Sequence, residues 1–148
     1  MAKLAMDAIR SDLEPFLRRL LELAHWNVQF QIEPAAFQDP ETGAPEILVN
    51  FSGPDADLLV ERGGELLAAL EYIAAKFLRL APEERVLITF DCEDYKSIRA
   101  EELRLTAATA AERVERARPP FALNPMAARE RRIIHLALRD RPAVRTES

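Results

Sequence analysis

The chain has 148 residues, 49% of them hydrophobic and 30% charged, with a formal net charge of −5, which suits one globular domain or two very small ones. No apolar run approaches the roughly 20 residues that a bilayer span needs, and the N-terminus carries an acid by Asp7 without a signal-like apolar stretch, so a cytoplasmic protein is expected. Cys92 is the single cysteine, which argues against a disulfide framework and a cysteine-based zinc site.

Residues 4–24 read as an amphipathic helix. Leu13, Leu17, Leu20, Leu21 and Ala24 form its apolar stripe, with Arg18, Arg19 and Glu22 off it. Pro15 either kinks this helix or marks its start, and His25 at its end has a capping role. "WNVQFQIE" alternates strictly, with Trp26, Val28, Phe30 and Ile32 on one face, and predicts a half-buried strand. "PAAFQDPETGAPE" reads as a long connection. "ILVNFS" is a second strand with Ile47, Val49 and Phe51 on one face, and the two are expected to form an antiparallel hairpin.

A short helix is expected at residues 55–60, broken at Gly63-Gly64, and a longer one to about Leu80 bearing Leu66, Leu67, Leu70, Ile73, Phe77 and Leu78. "RVLITFDC" is a third strand with Val86, Ile88 and Phe90 on one face. Asp94 is a predicted N-cap for a helix to about Arg116, with Ile98, Leu103, Leu105, Ala110 and Val114 among its apolar positions. "RPPFALNPM" is a connection with an extended apolar step at Phe121-Ala122-Leu123. Asn124 as cap and Pro125 at the first helical position predict a last helix running to about Arg139 and stopped by Pro142. "AVRTES" is compatible with a short strand.

The net charge conceals an asymmetry. Residues 1–95 hold 8 Lys/Arg against 18 Asp/Glu, a balance of −10, whereas residues 96–148 hold 12 against 7, a balance of +5. A local basic surface, rather than the total, attracts phosphate.

These residues resemble a known pair of modules. "LLVERGGELLAALEYIAAK" is similar to the loop and following helix of a KH domain, and the helix-strand-strand-helix-helix-strand order is that of its bacterial, type II form. "DCEDYKSIRAEELRLTAATAAERV" with "NPMAARERRIIHLAL" resembles the domain named for an Arg-x-x-x-His pair, here Arg131 and His135. In this order the two resemble the Jag (SpoIIIJ-associated, KhpB) family of bacterial RNA-binding proteins. The resemblance implies an α+β fold, with a type II KH-like domain over residues 1–92 and an Arg-x-x-x-His domain over residues 93–148. It also implies single-stranded RNA or ssDNA as ligand, a post-transcriptional role linked to cell-envelope growth and division, and a smaller KH protein as a companion. Three departures stand out. Glu61-Arg62-Gly63-Gly64 replaces a Gly-x-x-Gly loop with basic residues between its glycines; the family's separate N-terminal domain does not precede residue 1; and the chain stops at "VRTES", where family members continue through another strand.

Arg131 and His135 lie four apart, hence on one helix face with Cβ atoms roughly 6 Å from each other. Arginine offers a planar fork to phosphate and stacks on bases; histidine donates a hydrogen bond, stacks, or binds more tightly when protonated. A structural pair would show the same spacing, with Arg131 on an acid and His135 a semi-buried spacer; the basic half and the resemblance favour the functional one. Arg129 and Arg132 widen the positive field. Lys96 and Arg99, within "YKSIR", are expected to face the same groove, and Tyr95 either stacks a base or packs. Arg62, Gly63 and Gly64 form the weaker candidate: small residues let a backbone approach a strand, but Glu61 places a negative charge where an anion would sit. Those glycines serve either the turn between helices or a weakened RNA contact. Cys92 reads as a small core residue. Asp91, Glu93 and Asp94 lack calcium-loop spacing and read as strand-end and capping residues. No cofactor, metal or catalytic constellation is expected. The competing reading is a protein-interaction module whose acidic half is a docking surface.

Overall fold

The computed structural model describes residues 2–35 and 45–148, with side chains from residue 6 onward. The chain is a mixture of helix and sheet: α1 (Ala2–Ala24), β1 (Gln29–Pro34), β2 (Ile47–Ser52), α2 (Asp57–Phe77), a 3-10 turn (Pro82–Leu87), β3 (Ile88–Cys92), α3 (Tyr95–Ala117) and α4 (Ala128–Leu138). These divide into two compact units, Met1–Tyr95 and Lys96–Ser148. The charge asymmetry of the sequence is therefore a difference between units, −10 in the first and +5 in the second. Most of the long connection after Pro34 lies outside the described residues.

In the first unit the sheet order is β1-β2-β3, with β1 antiparallel and β3 parallel to β2. Strand alternation and register act together here. Phe30 sits opposite Phe51 and that opposite Cys92; Ile32 opposite Val49 and that opposite Phe90. Every residue of these rows points to the same face, so the three strands present one continuous apolar surface. Leu13, Leu17 and Leu21 of α1 and Leu59, Leu67 and Leu70 of α2 complete a single core with it. The other face, with Gln31 opposite Asn50 and Asn50 opposite Asp91, is polar. The free edge of β3 is closed by a side chain: the Phe90 amide, unused by β2, donates to Glu71 Oε2 of α2 at 2.8 Å.

Pro15 neither starts nor ends α1; it lies inside the helix and is exposed. A proline in a helix interior costs about 3 kcal/mol. Burying Leu13, Leu17 and Leu21 beneath the opposite face contributes roughly 1.5–3 kcal/mol each, which outweighs that cost and keeps the helix continuous. His25 does cap α1. It adopts φ 57°, its amide donates to Glu22 O at 3.2 Å, and the Trp26 amide donates to Leu21 O at 3.3 Å, the paired bonds of a Schellman ending. This explains why β1 begins at Gln29 rather than Trp26. Trp26 is used by the cap, and Asn27 is bound in both directions to Asp55, whose Oδ2 accepts from its amide at 2.7 Å. Gly53, with φ 120°, makes this crossing possible: a Cβ there would lie 2.9 Å from Asn27 O.

The expected break in the α2 region is present. Glu61 is extended, and Arg62, Gly63 and Gly64 are three successive left-handed residues. Leu67 and Leu70 are buried, whereas Ile73 and Phe77 are nearly half exposed, and Phe77 stacks on Phe16 with ring centres 4.1 Å apart. Val86 falls in the 3-10 turn, also exposed, so β3 starts at Ile88, three residues later than the stretch that opens at Arg85 suggests.

In the second unit α3 buries Leu103, Ala107 and Ala111, one residue per turn, against Ile134 and Leu138 of α4. Ile98 and Leu105, expected to be apolar core positions, are 55% and 68% exposed; they lie off that stripe. Asp94 precedes α3 with φ 61° rather than in the extended form usual for a capping residue. Helix α4 begins at Ala128, not Pro125, with Ala127 as its extended N-cap. Leu123 and Met126 both turn side chains into the core, which keeps residues 123–126 out of helix until that anchoring is complete. Residues 143–148 form no strand. Among the described residues, no helix is long and apolar enough to cross a membrane.

Phe51 and Phe90, each fully buried and 5.4 Å apart between ring centres, hold the middle of the first core. Phe51→Ala or Phe90→Ala is expected to lower unfolding free energy by about 3–5 kcal/mol, read as a shift of the chemical denaturation midpoint at unchanged slope. Leu48→Ala, on the opposite sheet face and half-buried, should cost clearly less.

Candidate functional site

Four residues of α4 follow the spacing i, i+3, i+4, i+7: Arg131, Ile134, His135 and Leu138. This spacing places all four on one side of the helix. Ile134 and Leu138 are buried in the core of the second unit, while Arg131 is exposed and His135 half-buried. The pair therefore sits at the rim of the apolar stripe, and both line a cleft of about 590 Å³ within this unit. The Arg131 amide donates to Ala127 O at 3.0 Å, one of the first bonds of the helix, so the arginine is carried on a rigid first turn.

Both ring nitrogens of His135 are engaged. Nδ1 lies 2.6 Å from Thr146 Oγ1, and Nε2 lies 2.8 Å from Ser148 Oγ. A hydroxyl can donate or accept, so either neutral tautomer, or the imidazolium donating to both, satisfies this arrangement. The consequence is a fixed ring orientation.

The other sequence-predicted residues are distributed differently. Arg129 and Arg132 are exposed on α4 but do not line the cleft. Lys96 and Arg99 lie on the first turns of α3 and are half-buried. The Arg99 side chain is held by two carboxylates, with Nε donating to Glu130 Oε1 at 2.8 Å and Nη1 to Glu102 Oε2 at 3.3 Å. Glu130 is the one acid within "RERR", and its side chain is 16% exposed. Its pairing with Arg99 neutralises it locally.

Arg62, Gly63 and Gly64 belong to the first unit, and the two glycines differ in kind. A Cβ at Gly64 would meet the Tyr95 ring at 2.9 Å, whereas nothing lies within 4 Å of one at Gly63. Gly64 is thus required by packing, and Tyr95 is a packing residue joined to the first core. Gly63 and the exposed Arg62 leave their backbone open. Cys92 is buried and donates weakly to Ala56 O at 3.6 Å. Burial, assisted by the charges of Glu93, Asp91 and Asp57, pushes its thiol up to about 11. It is a core residue rather than a nucleophile. Among the described residues no group of three or more His, Cys, Asp or Glu is placed to hold a metal ion.

Arg118 and Phe121 are among the cleft residues outside the sequence-predicted set. Arg118, left-handed at φ 68°, ends α3 with its amide on Val114 O at 2.8 Å, and Phe121 follows on the irregular segment; both line the cleft. An aromatic between prolines in the basic half was the available signal.

Residues 101–148 match the family model of the R-3-H domain, the domain named for the Arg-x-x-x-His pair. A protein of Clostridium symbiosum named RNA-binding protein KhpB is 29% identical over 133 residues, which cover 90% of this chain and 57% of that protein. Its namesake in Bacillus subtilis (strain 168) is 34% identical over 86 residues, 58% of this chain and 41% of that protein. The chain thus matches well under two thirds of the length of either relative.

Two outcomes are expected. In a double-mutant cycle of Arg99→Ala and Glu130→Ala, monitored by denaturation, the pair should couple by roughly 0.5–1 kcal/mol. Unfolding free energy should fall as pH rises from the ordinary thiol value of 9.0 towards about 11, because the unfolded thiol ionises there while the folded one stays protonated. Cys92→Ala should show a shallower decline over the same interval.

Proposed function

We propose that this protein binds single-stranded RNA, with ssDNA as a related ligand and little sequence preference, and that it acts by binding rather than catalysis. The observation that carries this reading is the Arg131–His135 rim of the second unit's cleft, in a unit of charge +5 that matches the Arg-x-x-x-His domain model and whose relatives are named for RNA binding. Arg131 is the phosphate ligand, supplying a bidentate fork. His135, fixed by Thr146 and Ser148, offers its ring face to a base or ribose. Arg129 and Arg132 extend the field, Lys96 contributes at the head of α3, and Arg99 acts through Glu130.

In the first unit the order helix, two strands, a helix divided in two at Glu61–Gly64, and a third strand supports a type II KH-like fold. The left-handed Arg62-Gly63-Gly64 turn suits a loop that a nucleic-acid backbone approaches closely. A non-glycine residue in this conformation costs about 1–2 kcal/mol, and Arg62 holds it while exposed. Glu61 opposes an anion at that position, so the loop is a weakened second contact. A cytoplasmic post-transcriptional role beside a smaller KH protein is the setting the resemblance implies. A second reading, a docking surface for protein, rests on the −10 charge of the first unit and on the exposed Tyr72, Ile73 and Phe77 of α2.

Fluorescence anisotropy of a labelled single-stranded RNA separates the two. Wild-type affinity should fall steeply and linearly in log–log form as salt rises. Arg131→Ala should weaken binding and lower the magnitude of the salt slope by about one; adding His135→Ala should weaken it further, and Glu61→Gly should tighten it. Absence of binding at low salt, or binding indifferent to salt and to Arg131, supports the protein-docking reading instead.

A further inference from the structure

Phe121 is 43% exposed and stands on the irregular segment between α3 and α4. Scattered exposed apolar residues are ordinary on protein surfaces; this one differs in its mounting and its neighbours. Pro119 and Pro120 precede it and Pro125 follows, each fixing a backbone angle, while Leu123 and Met126 anchor the segment in the core. The ring is therefore presented by a stiff support and loses little freedom on contact. The Arg113 guanidinium carbon lies 5.3 Å from its centre, which orients it further. Phe121 lines the same cleft as Arg118, Arg131 and His135.

An aromatic face beside arginine forks is what a nucleotide requires: a flat apolar surface for the base and planar donors for the phosphate. An acidic peptide would use the arginines alone and have no need of the ring. The geometry points to Phe121 as the base-stacking platform of this cleft, an assignment that rests on the RNA-binding reading above. The nitrogens of His135 are held by Thr146 and Ser148, which leaves it no edge for reading a base and only a ring face smaller than that of Phe121. Because every base has a π face, a stacking platform also accounts for binding without strong sequence preference.

The test uses the full chain, a labelled single-stranded RNA and an abasic strand of the same length, titrated by anisotropy at several salt concentrations. Phe121→Leu, which keeps apolar bulk without a π face, and Phe121→Ala should each weaken RNA binding about tenfold with the salt slope unchanged, since a ring neutralises no phosphate. Phe121→Trp should restore it, and all four proteins should bind the abasic strand equally. If the variants bind RNA like wild type, or lose as much affinity for the abasic strand as for RNA, the stacking assignment is overturned while an Arg131-dependent salt slope keeps the RNA-binding reading. If wild type binds neither strand, both are overturned.

Discussion

The second unit depends on the packing of α3 and α4 around a few buried apolar side chains. Leu103, Ala107 and Ala111 of α3 meet Ile134 and Leu138 of α4, and these five are its buried hydrophobic residues. Rotation of α4 is fixed by burying Ile134 and Leu138, and with it the outward direction of Arg131 and His135. The Arg131–His135 rim is a by-product of the packing register: the same spacing that buries Ile134 and Leu138 leaves Arg131 exposed and His135 half-buried. Nothing about Arg131 itself holds it there.

Electrostatics acts on top of that geometry. "RERR" contains an acid that would weaken any anion site, and the fold removes its influence by pairing Glu130 with Arg99 at 2.8 Å. The half-buried pair is shielded from salt better than an exposed one, whereas the arginines on the surface act over about a Debye length, roughly 8 Å at physiological ionic strength. Glu130 also lies in the first turn of α4, where a negative charge favours the helix end. One carboxylate thus stabilises the helix and ties it to α3 while the exposed arginines keep the surface positive.

The first unit is organised by a different constraint, a three-stranded sheet apolar on one face. Register carries it, because the rows Phe30–Phe51–Cys92 and Ile32–Val49–Phe90 would turn to the opposite side with a slip of one residue. Cys92 belongs to such a row, which explains its inertness. Within the left-handed turn, packing against Tyr95 claims Gly64 and leaves Gly63 open, so adjacent identical residues have separate reasons to be glycine.

Strand alternation and the helix break at Gly63-Gly64 were legible in the sequence because both are local: period-two burial and positive φ are properties of a few consecutive residues. The Arg131–His135 pair was legible for the same reason, since i, i+4 on a helix is one face wherever the helix lies. Misreadings arose where a local signal met a distant partner. Asn124-Pro125 has the chemistry of a helix start, yet Leu123 and Met126 are drawn into the core and delay α4 to Ala128. Trp26 alternates like a strand residue, yet its amide is taken by Leu21. Ile98 and Leu105 are apolar, yet the face of α3 that is buried runs through Leu103, Ala107 and Ala111 and leaves them exposed. The partner of Glu130, the hydroxyls on His135 and the approach of Phe121 to the cleft join residues 11 to 31 positions apart or on different elements. Sequence by itself determined the type and order of the main elements and the local periodicity of their side chains; the tertiary structure alone decided where they start, which charges cancel and which side chains share a cleft, because those depend on distances that no local pattern encodes.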